Sequence, residues 1–320
     1  MNLSGHEDAW REWRNAQASQ RMHHGWILAG KKGLGKAAFA HAAARELVVE
    51  PGVEQPPDNH PDIIVLTHLP ATADDEAKKA DGKPYQVKRS IGISQIREMQ
   101  QRLVTRPTLG ERRAIIVDPA DDLEKPAANA LLKSLEEPPA GSFFVLVSHR
   151  PGRLLATIRS RCRMLRFPEL PDDEVDAVLR SRAPQADAPT RAAAIAAASG
   201  SPGAALDFVS HDLAPLHGLM QKIAQAGDPG FNLRGELAQT IGQRPDRERL
   251  LASLELARAV LASEIHNTDR SRLLRVVDAH DEINRLAGQA PTYNFDPALL
   301  VMEIGTLLAS VAVDREPGHG

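Results

Sequence analysis

Four short apolar runs, with stretches of helical periodicity between them, constrain this chain more than any other feature. The runs are Trp26–Ala29, Asp62–Leu66 after its leading acid, Ala114–Val117 and Phe143–Val147. Strands this short and this continuously apolar suit a parallel sheet covered on both faces. The stretches between them, Ala37–Val49, Ser94–Leu103 and Lys125–Glu137, predict helices. The last is closed by Pro138-Pro139, which cannot continue a helix. The alternation predicts an α/β domain. Residues 50–59 and 67–90 are polar, contain Pro and Gly, and read as surface loops.

After Phe167-Pro168 no comparable run recurs. Pro171-Asp172-Asp173-Glu174 reads as a helix start, with Pro in front and acids facing the helix dipole. Short helices are predicted over 173–183, 189–199 and Ala204–Ser210. The Ala-rich stretch Arg191–Ala198 calls for close helix approach. From about residue 212 the pattern is helical throughout, as in Asp246–Ile265 and Arg270–Ala287, and the terminal EPGHG reads as frayed. The expected organisation is three parts: an α/β domain at 1–167, a small helical domain at 168–210 and an all-helical domain at 211–320.

Composition narrows the partners. Lys and Arg number 39 against 42 Asp and Glu, for a net charge of −3. That excludes a broadly basic nucleic-acid binder, and 4% aromatics argues against a base-stacking platform. The longest apolar run is Ala192–Ala198, far short of the ~20 residues of a membrane span. The polar start MNLSGHEDAWREW does not read as a signal peptide. A single cysteine, Cys162, makes neither an internal disulfide nor a cysteine-based zinc site. The expectation is a soluble protein of a reducing compartment, the cytoplasm.

The first apolar run ends in Gly30-Lys31-Lys32-Gly33-Leu34-Gly35-Lys36-Ala37, which fits G-x-x-x-x-G-K. Gly30, Gly33 and Gly35 let backbone N–H groups wrap phosphate oxygens, and Lys36 reaches the outer phosphates at a helix N-terminus. The eighth position of a working loop supplies a hydroxyl to Mg²⁺; Ala37 has none. An acid should end a later strand, and Asp118 does. The next position, where such ATPases carry a water-orienting Glu, is Pro119, which can neither polarise water nor donate an N–H. Two separate parts of one reaction are absent, which argues against hydrolysis. The loop reads equally as a metal-free phosphate holder and as a turn kept for packing.

Further phrases point to a family. Asn129–Pro139, NALLKSLEEPP, is similar to a stretch of bacterial DNA polymerase III clamp-loader subunits of the AAA+ class. Ser160-Arg161-Cys162 resembles their SRC motif. Met22–Trp26, His60-Pro61-Asp62 and Gly200–Leu206 resemble further segments in the same order, so the likeness runs across 22–206. The degenerate loop selects the non-hydrolysing kind of subunit.

The resemblance implies an AAA+ P-loop domain with a parallel sheet, then a helical lid and an all-α collar. It implies no enzyme activity of the chain alone, within a complex that serves DNA-directed DNA polymerase. It implies tau/gamma ATPase subunits and a delta subunit as partners in a hetero-oligomeric ring, a sliding clamp, and primed DNA reached through the assembly. No membrane is implied. Relatives often carry a four-cysteine zinc module where Glu50–Asn59 has no cysteine, so no zinc is expected. Ser148-His149 stands at the first sensor, where the ATPases have Thr or Asn, and Gly203-Ala204 lacks the second sensor's Arg.

For Arg161 the resemblance implies a finger that enters a neighbour's ATP site. Spacing alone favours a surface arginine in the series Arg159, Arg161, Arg163 and Arg166, the first three on one strand face with Cys162 turned inward as packing. Asp118 is compatible with a strand-end cap, and His23 and His24 with turn packing. Leu131, Leu132 and Leu135 form a core-facing stripe. Glu136 and Glu137 end the helix as a solvated tip or a subunit contact. Two other functions compete with the clamp-loader reading. One is an active P-loop ATPase of a clamp or helicase loader, and the other a nucleotide-sensing AAA+ switch outside replication.

Overall fold

In the computed structural model, residues 6–19, 22–242, 245, 247–266, 270–290 and 295–312 are described. The chain forms two compact units that divide after Glu169.

The first unit holds a sheet of β1 (Gly25–Ala29), β2 (Ile63–Leu66), β3 (Arg113–Val117), β4 (Ser142–Ser148) and β5 (Arg163–Arg166). Their order is β2-β3-β4-β1-β5 and every pairing is parallel. The first four strands are the predicted apolar runs, with ends shifted by a residue or so. Successive residues serve opposite faces. Ile27, Ile115, Val117, Phe144 and Leu146 face α4 (Ile93–Leu103), α5 (Lys125–Glu136) and α6 (Ala156–Arg159). Trp26, Leu28, Ala114, Ile116, Val145 and Val147 face α1 (Glu7–Ala18) and α2 (Lys36–Val48). Double burial is why β1, β3 and β4 read as unbroken apolar runs, while edge strand β2 leaves Val65 exposed.

Three expectations need correction. Residues 67–90 are not plain loop: they hold α3 (Ala73–Ala80), capped by Thr72, whose hydroxyl accepts from Asp75 N. Asp75 also accepts from Gln86 N at 3.0 Å, and Lys78 pairs with Asp74. This helix rests on caps and i,i+4 pairs, and a search for apolar periodicity passes over it. Leu132 is only half-buried, while Leu131 and Leu135 are in the core. The arginine series does not share a strand face. Arg159 ends α6, Arg161 lies in the turn that follows, and β5 begins only at Arg163. The polar N-terminal segment forms α1, which buries Trp13 completely against Trp26 and Phe39.

The second unit contains α7 (Asp172–Arg182), α8 (Ala188–Ala198), α9 (Pro202–Ser210), α10 (Ala214–Ala226), α11 (Asn232–Ile241), α12 (Arg247–His266), α13 (Arg270–Gln289) and α14 (Pro297–Ser310). No strand occurs among its described residues. Proline enters the first turn of α8, α9, α10 and α14, and Asp187, Ser201 and Asp296 cap three of those helices. One apolar cluster runs from Leu170 to Val311. Buried Ala194, Ala198 and Ala205 give the close approach expected of the Ala-rich stretch. A Cβ on Gly305 would lie 2.5 Å from the Arg234 side chain, itself paired with buried Asp228, so α11 presses on α14 there. The expected start of α12 at Asp246 and the terminal EPGHG lie outside the described residues.

Candidate functional site

The chemistry lies at the two ends of the sheet, and β1 links them. At its C-terminal end the chain turns through Gly30–Gly35 into α2. Parallel α/β sheets present ligand sites along this edge. Gly33 and Gly35 have φ of 83° and 79°, conformations that favour glycine. Gly30 has a different reason to be glycine: a Cβ there would sit 2.4 Å from the Phe167 carbonyl oxygen on the chain leaving β5. The P-loop backbone is therefore intact.

Its side chains are turned to other uses. Lys36 is 2% exposed, and its Nζ donates to the carbonyls of Gly30, at 2.7 Å, and Lys31. Burial lowers its pKa to about 8, against the opposing pull of Asp121 and Asp118. Ala37 brings no oxygen. Burial also raises the pKa of Asp118, against nearby His41, Lys36 and His68, and a cis peptide joins Asp118 to Pro119.

Asp121, which the sequence reading passed over, organises this edge. Its carboxylate accepts from Ser148 Oγ at 2.8 Å and from the backbone N–H of His149 and of Arg150. The first-sensor pair Ser148-His149 is thus bound by its own chain. Burial, then Lys36, pushes the His149 pKa down to about 4, so the ring is neutral at pH 7. Nothing in the string Asp118-Pro119-Ala120-Asp121-Asp122 marks the first acid of the closing pair over the second.

These residues fit a magnesium nucleotide poorly. The metal hydroxyl and the water-orienting acid are missing, and the loop lysine is held by loop carbonyls. No group of three or more potential metal-ligating side chains occurs among the described residues.

At the other end, Arg161 sits in the turn between α6 and β5. Its backbone N–H donates to Ile158 O at 3.1 Å. Its Nη1 donates to Thr157 O at 3.0 Å and Ser160 Oγ at 3.4 Å, and its Nη2 lies 2.7 Å from Glu136 Oε1. The side chain is 35% exposed. The neighbouring arginines do separate work. Arg159 holds the carbonyls of Pro151 and Gly152, and Arg163 pairs with Glu12 while lying over Trp26. Beside the turn, a Cβ on Gly25 would meet Cys162 Sγ at 3.0 Å and Arg161 O at 3.1 Å. Burial pushes the Cys162 thiol up to about 12, which leaves it a packing group. His24 Nε2 pairs with Leu135 O at 2.9 Å, and His23 Nδ1 closes its own turn on Gly25.

Arg161 and the phosphate loop are not brought together. In the β1–β5 register Trp26 faces Arg163 and Ala29 faces Arg166. Arg161 therefore lies beside the start of β1 and Gly30 beyond its end. The register extrapolates Arg161 to the level of His24, and at ~3.3 Å per residue in a parallel strand the six steps to Gly30 span roughly 20 Å. A guanidinium at one end cannot serve a phosphate at the other.

No described helix is long and apolar enough to cross a membrane. Comparison with known proteins agrees with the resemblance seen in the motifs. Residues 5–171 match a family model described as DNA polymerase III, delta subunit. DNA polymerase III subunit delta' of Escherichia coli is 32% identical over 288 residues, covering 83% of this chain and 79% of that one. The subunit of the same name in Pseudomonas aeruginosa is 33% identical over 162 residues, 47% of this chain and 44% of its own length. DNA polymerase III subunit tau of Salmonella typhimurium is 26% identical over 178 residues, 54% of this chain and 26% of that one.

Proposed function

Because this chain belongs to the DNA polymerase III delta' family, we propose that it is a non-hydrolysing subunit of the clamp loader that donates Arg161 to a neighbouring ATPase site. The observation that carries the reading is the placement of Arg161 at the sheet end opposite its own phosphate loop. A planar, permanently charged guanidinium suits phosphate oxygens. Where it stands, the phosphate it meets belongs to another subunit. A finger supplied in trans contributes about 10³–10⁵ in rate.

The phosphate-loop end supports the same division of labour. With Ala37, Pro119 and an internally bonded Lys36, the chain hydrolyses no ATP itself. A metal-free phosphate remains compatible with Gly30, Gly33, Gly35 and Lys36, and no step of the function needs it. The ATPase neighbours are the tau/gamma subunits, with a delta subunit completing the ring. Residues 168–210 act as the lid and 211–320 as the collar that holds the ring together. The assembly opens the sliding clamp and places it on primed DNA in the cytoplasm. DNA is held through its phosphates, so binding is salt-sensitive and sequence-independent, and this net-acidic chain binds DNA weakly alone.

The test assembles the chain with its cognate ATPase and delta subunits and measures DNA-dependent ATP hydrolysis, with wild type and Arg161→Ala side by side. The isolated chain is expected to be inert. Arg161→Ala is expected to lower turnover by about 10³ at the one site it serves, with assembly intact. An intact complex with wild-type turnover would make Arg161 structural. Hydrolysis by the isolated chain would end the non-catalytic reading.

A further inference from the structure

We propose that Glu136 is a positioning residue for Arg161. Its carboxylate grips one edge of the guanidinium at the protein surface and leaves Nε free for a phosphate oxygen of the neighbouring subunit's nucleotide. The inference rests on the trans-acting reading of Arg161 and adds to it the group that sets its aim.

Three observations carry it. The first is geometric. A guanidinium has five N–H donors in a fixed plane. Nη1 is held by Thr157 O and Ser160 Oγ, Nη2 by Glu136 Oε1 at 2.7 Å, and Nε has no partner among the described residues. The side chain is fixed on one edge and open on another. An arginine pre-set in this way loses less rotamer freedom when it meets phosphate.

The second is a local rule broken. Glu136 is the last residue of α5 and Glu137 follows as its cap. Carboxylates at a helix C-terminus are disfavoured by the helix dipole, where cations are preferred. Lys133 already places one cation in the last turn, and the Arg161 guanidinium sets a second directly against Glu136. Departures from local preference concentrate at functional sites, and this one joins the two phrases, LEEPP and SRC, that lie 25 residues apart in the chain.

The third is mechanical. The two side chains ride on backbones that touch. His24 bonds Leu135 O at 2.9 Å, and Gly25 packs where a Cβ would stand 3.1 Å from Arg161 O and 3.5 Å from Leu135 Cδ2. The end of α5, the start of β1 and the Arg161 turn are therefore one packed corner. The fold brings the two side chains within reach of each other.

The test uses the full chain in the assembled complex, with Glu136→Ala, Glu136→Gln, Arg161→Ala and the double variant Glu136→Ala/Arg161→Ala. Glu136→Ala is expected to lower DNA-dependent kcat two- to fivefold, about 0.4–1 kcal/mol and within the range of an exposed ion pair, with KM for ATP unchanged. Glu136→Gln keeps the shape of the side chain and loses the charge of the ion pair, so its rate should fall with that of Glu136→Ala. In the Arg161→Ala background, Glu136→Ala should change nothing, because it acts through Arg161. A Glu136→Ala complex as fast as wild type, or faster, beside a slow Arg161→Ala complex overturns the positioning role and leaves the finger standing. A silent Arg161→Ala removes the finger and the proposal with it. A second measurement needs no partner: ¹⁵N relaxation at Arg161 Nε in the isolated chain should show an ordered side chain in wild type and a mobile one in Glu136→Ala. Equal order in the two overturns the proposal on its own.

Discussion

The two ends of β1 are built alike and used differently. Each is closed by a glycine pressed against the chain entering or leaving β5: Gly25 against the Arg161 turn, Gly30 against Phe167. At the Gly30 end the charged groups are consumed internally. Lys36 bonds loop carbonyls, Asp121 bonds the end of β4, and burial lowers the pKa of Lys36 and raises that of Asp118. At the Gly25 end the charge is half-exposed and one donor is uncommitted. A glycine-rich loop can have its charged side chains bonded inward, while a plain turn elsewhere leaves a guanidinium half-exposed. Shape is kept by packing and chemistry by a few side-chain atoms, and the two are lost independently.

The comparison can be broken first at Gly30. In Gly30→Ala the new Cβ meets a backbone carbonyl that cannot swing aside, so a stability loss of about 1–3 kcal/mol is expected. Urea unfolding checks it. Turnover of the assembled complex, normalised to folded chain, should stay within about twofold of wild type, because this end contributes packing. A folded Gly30→Ala chain that assembles but cannot support turnover would restore a working role to the loop.

Gly25→Ala should show the opposite balance. Its contacts, at 3.0 and 3.1 Å, need the neighbours to give by only a few tenths of an ångström. Expected destabilisation is under about 1 kcal/mol. The neighbour that yields is the Arg161 turn, so complex turnover should fall by about tenfold at the site Arg161 serves, a small misplacement being costly to alignment. Loss of stability with no loss of turnover would show that the corner does not set the finger.

Stability should also slope with pH. The Lys36 pKa is depressed from 10.5 to about 8 in the folded chain. Between those values the unfolded chain binds more protons than the folded one, so this group makes stability rise with pH. Below about pH 8 its charge is retained in both states and the burial penalty is paid in full. Wild type should therefore gain stability relative to Lys36→Met as pH goes from about 7.5 to 10. Parallel curves for the two proteins in chemical denaturation would mean that Lys36 is solvated after all.

Much of this was legible in the amino-acid sequence. The four apolar runs are β1 to β4; in β1, β3 and β4 burial on both faces leaves no polar alternation, and edge strand β2 is apolar even at exposed Val65. The phosphate loop, its missing hydroxyl at Ala37 and the proline at 119 are local facts about side-chain atoms. What escaped had no apolar pattern to mark it. Helix α3 is held by a cap and ion pairs with no apolar stripe. Asp121 differs from Asp122 only in what lies across from it, 27 residues further on, at Ser148. Arg159, Arg161 and Arg163 read by spacing as one strand face, and a one-turn helix before β5 gave each a different partner.

Residue type within a short window fixes the α/β unit, the helical half that follows, the missing hydroxyl at Ala37 and the missing acid at Pro119. Which way the charged groups are turned is settled by tertiary contacts alone. The parallel pairing of β5 beside β1 sets Arg161 at the far end from Lys36, and the corner of α5, β1 and α6 brings Glu136 to its guanidinium. Those relations join residues distant in the chain through the direction of strands, and direction belongs to the assembled sheet.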